Sequence, residues 1–207
     1  MKLATYKDGS RDGQLVVVSR DLSLAHYASG VATRLQQVLD DWNFLSPQLQ
    51  ELSQTLNHGK ARHAFAFDPQ MCMAPLPRAY QWADGSAYIN HVELVRKARG
   101  AQVPPSFYTD PLMYQGGSDD FIGPRDDIVC ASTEFGIDFE AEIAVVTDDV
   151  PMGTGPDTAL EGIRLPNSTS PLAPTSNREC RSCSQKRATR NVNSNSIWPK
   201  VLTRAAF

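Results

Sequence analysis

Past Arg164 the chain loses the means to build a core. Between residues 166 and 196 only Leu172 and Val192 are large apolar side chains, and the rest is dominated by Ser, Thr, Asn, Pro and Arg. A segment of that kind buries too little surface to offset the entropy of ordering its backbone. Whatever folds must therefore be made from residues 1–164, and 165–207 is expected to be a disordered tail. The charge balance breaks at the same place. Residues 165–207 carry seven Lys/Arg against one acid, whereas 1–164 carries 13 bases against 22 acids, an asymmetry hidden by the net charge of −3. A basic tail can hold nucleic acid, but this one contains no recognisable module, and no nucleic-acid partner is expected.

At 41% hydrophobic and 21% charged, 207 residues give room for one domain or two small ones. No window approaches the roughly 18 apolar residues of a membrane span, and the opening residues hold no apolar stretch of signal-peptide length. A cytoplasmic protein with no membrane partner is expected. Cys72, Cys130, Cys180 and Cys183 are too scattered for a disulfide framework. Cys180 and Cys183 make a single CxxC with no second pair nearby, short of the four ligands of a structural zinc site.

Along the first module, Gln14-Leu15-Val16-Val17-Val18 follows the turn signals Asp8-Gly9 and Asp12-Gly13 and reads as a strand. Leu24, Ala28, Val31, Leu35, Val38 and Trp42 recur at three- and four-residue spacing and predict an amphipathic helix. Ser46-Pro47 reads as the start of a second helix, with Leu49, Leu52 and Leu56 on its buried face and Asn57-His58-Gly59 as its stop. Pro69, Pro75 and Pro77 mark a connection to a strand-rich part, in which residues 139–146 form the strongest strand candidate.

That candidate carries Glu140-Ala141-Glu142. Side chains alternate across a sheet, so the two carboxylates leave one face about 7 Å apart. They repel unless a cation lies between them, and hard cations such as Mg²⁺ and Ca²⁺ prefer carboxylate oxygen. Taken alone, two hydrated Glu on a solvent-facing edge give the same pattern. Asp84, in the turn-like Trp82-Ala83-Asp84-Gly85-Ser86, and His91 seven residues later are equally open to ordinary readings, as a turn acid and as a surface or core histidine.

The order of these blocks resembles the fumarylacetoacetate hydrolase family: Asp84 and His91, then Tyr114-Gln115-Gly116-Gly117-Ser118, Gly123-Pro124, and Asp138-Phe139-Glu140-Ala141-Glu142. The stretch from Ser106 to Phe121 is especially similar to the bacterial two-domain members, and the likeness covers about residues 1–164. The resemblance implies an α+β, mainly β fold: a small N-terminal β-rich domain with helices over 1–72, then a partial fumarylacetoacetate-hydrolase-like β-roll over 73–164. It implies Mg²⁺ or Ca²⁺ on Asp84, Glu140 and Glu142, His91 as the histidine that activates water, and Tyr114 at the substrate. The implied reaction is cleavage of a C–C bond in a small 1,3-diketo acid such as fumarylacetoacetate, carried out by a homodimer.

Beyond Arg164 the likeness stops. The family's next blocks, with a fourth metal-ligand Asp beside an Arg and then a substrate-binding Lys, have no counterpart among residues 165–207, whose texture fits an out-of-frame translation. The family's shorter members place the histidine's acid partner three residues after it, where this chain has Leu94; Glu93 is one position off. Such a chain is expected to have low or no activity as an isolated polypeptide, and its pairing into the family dimer is in doubt. The competing readings are a related acylpyruvate-type decarboxylase or isomerase using the same site, and a non-catalytic fragment.

Overall fold

A strand with no polar alternation is a strand covered on both faces, and residues 14–18 behave that way. In the computed structural model, which describes residues 1–86, 89–110, 112–116, 121–129, 143–166 and 201–204, the chain divides into two units. The first comprises Met1–Arg78 and residues 121–127; the second holds the remaining described residues.

The first unit is built on an antiparallel sheet of β1 (Lys2–Tyr6), β2 (Gln14–Val18), β3 (Leu24–Tyr27) and β4 (Phe65–Ala66), in that order. Leu15, Val16, Val17 and Val18 on β2 are all buried. On one face Val16 and Val18 join Tyr6, Ala25 and Cys72, with Phe65 and Phe67 packed alongside. Tyr6 stacks on Phe67 with ring centroids 5.9 Å apart. Burial pushes the Cys72 thiol up to about 11, which makes it a packing residue, since the thiolate is the reactive form. Alternation sends Leu15 and Val17 to the opposite face, where α1 (Leu35–Asp40) and α2 (Trp42–Asn57) bring the buried Leu35, Val38, Leu49 and Leu56.

Two readings of this module need correction. The helix expected from Leu24 begins only at Leu35, because Leu24–Tyr27 is committed to the sheet, with Val18 opposite Ala25 and Val16 opposite Tyr27. Its start is fixed locally: the Gln37 side chain reaches back to accept from the N–H groups of Thr33 and Arg34 at 2.9 and 3.0 Å. Ser46-Pro47 does not open the second helix but lies inside α2. Near the beginning of a helix a proline forfeits one i→i−4 bond, here to the carbonyl of Asn43, and the burial of Leu49 and Leu56 outweighs it. The expected stop holds, with α2 ending at Asn57 and Gly59 taking φ +67°.

Residues 121–127 are fastened to this unit by specific contacts. Phe121 N–H donates to the Pro77 carbonyl at 3.0 Å. The Asp126 carboxylate accepts from Lys7 Nζ at 2.6 Å and from Gly123 N–H at 2.8 Å. Gly123 is needed because a Cβ there would run into the Cys72 carbonyl oxygen.

Carboxylates hold several turns of this unit. Asp21 accepts from the Ser19 and Ser23 hydroxyls and from Ser23 N–H, and these donors, the hydroxyls first, lower it to about 2. Asp8, Asp12 and Asp126 are also held below the usual carboxylate range, chiefly by hydrogen bonds from Ser10, Arg78 and Lys7 respectively. A depressed carboxyl stabilises fully above its unfolded value near about 4 and loses that contribution as pH falls through the folded value. The melting temperature should therefore drop between about pH 4 and pH 2. Asp21→Asn, which keeps an acceptor for Ser23 N–H, should make that drop shallower in melts recorded across the interval; an identical slope would refute the assignment.

The second unit contains β5 (Trp82–Ser86), α3 (Ile89–Ala98), β6 (Leu112–Gln115), β7 (Ile143–Thr147), α4 (Pro156–Glu161), β8 (Ile163–Pro166) and β9 (Val201–Arg204). Its sheet runs β6-β5-β9-β7-β8, antiparallel except for the β5–β9 pair. The segment 82–86, expected as a turn, is a strand. Of the tail expected to be disordered from 165 onward, Leu165 and Pro166 complete β8 and Val201–Arg204 forms β9, while residues 167–200 and 205–207 lie outside the described residues. The low apolar content that set that expectation belongs to 166–196; Val201, Leu202 and Thr203 lie beyond it and suit a pleated surface. Across β7 and β8, Arg164 grips the Asp148 carboxylate through Nε and Nη2 at 2.9 and 2.6 Å. Among the described residues no helix is long and apolar enough to cross a membrane.

Candidate functional site

Asp84 sits at the middle of β5, is 9% exposed, and lies directly opposite Tyr114 of β6. Opposed residues of an antiparallel pair project from the same face, with Cα atoms about 4.5–5.5 Å apart. The acid and the phenol, thirty positions apart in the chain, are thereby brought together. Two residues before Asp84, and so on the same face, is Trp82. Its ring meets that of Tyr114 edge-on, with centroids 6.0 Å apart and planes at 71°. Gly116 N–H donates to the Trp82 carbonyl at 3.1 Å, and a Cβ on Gly116 would fall onto Cε2 and Cζ2 of the indole.

His91 follows β5 as the third residue of α3 and is exposed. Glu93 is two positions on, which in a helix is a different face. Its carboxylate instead accepts from the Tyr108 hydroxyl at 3.2 Å. That bond favours the protonated phenol and raises Tyr108 above its ordinary value. Leu94, on the His91 side of the helix, is 59% exposed.

Glu140 and Glu142 lie outside the described residues, as does Asp138. Among the described residues no group of three or more His, Cys, Asp or Glu side chains forms a ligand set. Of the expected donors, Asp84 is therefore the one the structure places. Its chemistry fits a hard cation: a carboxylate on a central strand, largely withdrawn from bulk water.

The chain thus joins in sequence a small antiparallel domain and a mixed sheet that bears this acid–tyrosine pair, a two-domain α+β architecture. Residues 1–78 match the family model described as fumarylacetoacetase N-terminal domain 2, and residues 81–165 match the fumarylacetoacetate (FAA) hydrolase C-terminal model. The chain belongs to the fumarylacetoacetate hydrolase family. No curated protein matches its sequence. Members of the family generally depend on a divalent metal. Sequence reasoning had not singled out Trp82. The signal was present as two i, i+2 pairs, Trp82-x-Asp84 and Tyr114-x-Gly116, each confined by alternation to one face.

Proposed function

We infer that the chain is by family a metal-dependent hydrolase of the fumarylacetoacetate type, cleaving a C–C bond in a small 1,3-diketo acid. Its activity is impaired, because residues 165–207 offer no counterpart to the family's later ligand and substrate-binding blocks. The observation that carries this reading is the pairing of buried Asp84 with Tyr114 within the segment that matches the FAA hydrolase model. Asp84, Glu140 and Glu142 would hold Mg²⁺ or Ca²⁺, which when bound supplies Lewis-acid polarisation of the substrate's oxygens. The chain's own groups do the rest. His91 takes a proton from the attacking water. Tyr114 donates its hydroxyl to a substrate oxygen and fixes the substrate's orientation. The water oxygen bonds to one carbonyl carbon, and the bond from that carbon to the central carbon breaks. The released electron pair remains with the departing enolate, which recovers a proton to become a ketone, while the other half leaves as a carboxylic acid. Fumarylacetoacetate would give fumarate and acetoacetate.

Calorimetric titration of the full chain with Mg²⁺ and Ca²⁺, beside the double variant Glu140→Ala, Glu142→Ala, tests the reading. Saturable binding to the wild type that disappears in the variant is expected. A folded wild type that binds neither ion overturns it and leaves a non-catalytic member of the family.

A further inference from the structure

We propose that Trp82 is a positioning residue: its indole, admitted by Gly116, fixes the ring of Tyr114 so that the phenol is presented on the Asp84 face of the β5–β6 ladder. The proposal rests on the hydrolase reading above and adds a residue to it. Tyr114 is 39% exposed on β6. A tyrosine side chain has several staggered positions, and each turns its hydroxyl elsewhere. The position that lets the phenol meet a substrate beside Asp84 is favoured by its ring contact with Trp82.

The ladder supplies that selection. Tyr114 opposes Asp84, and Trp82, two residues earlier on β5, is its diagonal neighbour on the same face. Aromatic side chains span that diagonal. The edge-on contact at 6.0 Å and 71° is a favoured geometry, in which the positive rim of one ring meets the negative face of the other. The position facing Trp82 is Gly116, whose amide donates to the Trp82 carbonyl. Any side chain there would occupy the space of the indole's Cε2 and Cζ2. Tryptophan and glycine thus form a matched pair, the glycine leaving the space that the indole fills as it leans toward Tyr114.

The test measures binding of Mg²⁺, and then of acetopyruvate at saturating Mg²⁺, to the full-length wild type and to Trp82→Ala, Trp82→Phe and Gly116→Ala. Trp82→Ala should weaken acetopyruvate binding about threefold to tenfold, the scale of one aromatic pair, with Mg²⁺ affinity unchanged within about twofold. Gly116→Ala should do the same although the indole is chemically intact, since the added methyl displaces it. Trp82→Phe should restore wild-type affinity, which a merely structural loss would not predict. If Trp82→Ala fails to fold, the other two variants decide. Wild-type acetopyruvate affinity in Gly116→Ala or in a folded Trp82→Ala, or no rescue by Trp82→Phe, overturns the positioning role alone. A wild type that binds Mg²⁺ but not acetopyruvate overturns the hydrolase reading, and the positioning role with it.

Discussion

Replacing Leu15 with alanine should destabilise the first unit by about 2–5 kcal/mol, the range for deleting a fully buried leucine side chain. Leu15 has no exposed surface. It stands on β2, whose neighbours β1 and β3 hold it in register on either side. Its backbone is tied twice more, donating to the Thr33 carbonyl at 2.9 Å and accepting from Ala28 N–H at 3.0 Å. A strand fixed in this way cannot move to close the space, so the cost should lie toward the upper end of that range. Domains of this size have about 5–15 kcal/mol in total, so the loss is a large fraction. Urea unfolding should show a lower midpoint with an unchanged slope, the sign of lost stability without a change in the surface exposed. A loss below about 1 kcal/mol would mean that the side chain is not enclosed as described.

The first unit was partly legible because its strongest feature is local. Five residues without alternation can only be a strand buried on both sides or a piece of buried helix, and the flanking turns decide between them. The helix beginning was misread because Leu24 and Ala28 satisfy a three-to-four spacing while Leu24–Tyr27 pairs with β2. A four-residue strand is too short to display its own period, so the choice is made by the neighbouring strand. Pro47 misled for a related reason: the rule that places proline at a helix start is a preference, and one missing bond early in α2 is small beside the burial of Leu49 and Leu56.

The candidate site was legible in its residue types and only through resemblance in its assembly. Alternation shows that Trp82 and Asp84 share a face, and that Tyr114 and Gly116 share a face. It cannot show that the two faces are one, because that depends on the register of β5 against β6, with Asp84 opposite Tyr114. The same limit applied to Asp84 itself. An Asp-Gly pair in a polar stretch reads as a turn, yet its neighbours on both sides are strands, and the pairing converts it into a buried acid at the centre of a sheet. Glu93 shows the converse: proximity in sequence offered it to His91, but helix geometry turns it away and gives it to Tyr108.

His91→Ala should abolish the low turnover of a 1,3-diketo acid expected of this chain, since a positioned general base contributes about 10²–10⁴, while leaving metal affinity unchanged within about twofold. The separation follows from where the two groups lie. Asp84 is buried on β5 and is the proposed metal ligand; His91 is exposed on the first turn of α3 and is the proposed base. An exposed helical position tolerates alanine, the best helix former, so the variant should unfold at the wild-type temperature within a degree or two. Asp84→Ala should differ in the metal arm, with metal binding lost and turnover falling because the site is not loaded. Calorimetry and steady-state rates on the two variants, beside the wild type, separate ligand from base. Retained turnover in His91→Ala would remove the histidine from the chemistry, and loss of metal binding in that variant would place it among the ligands instead.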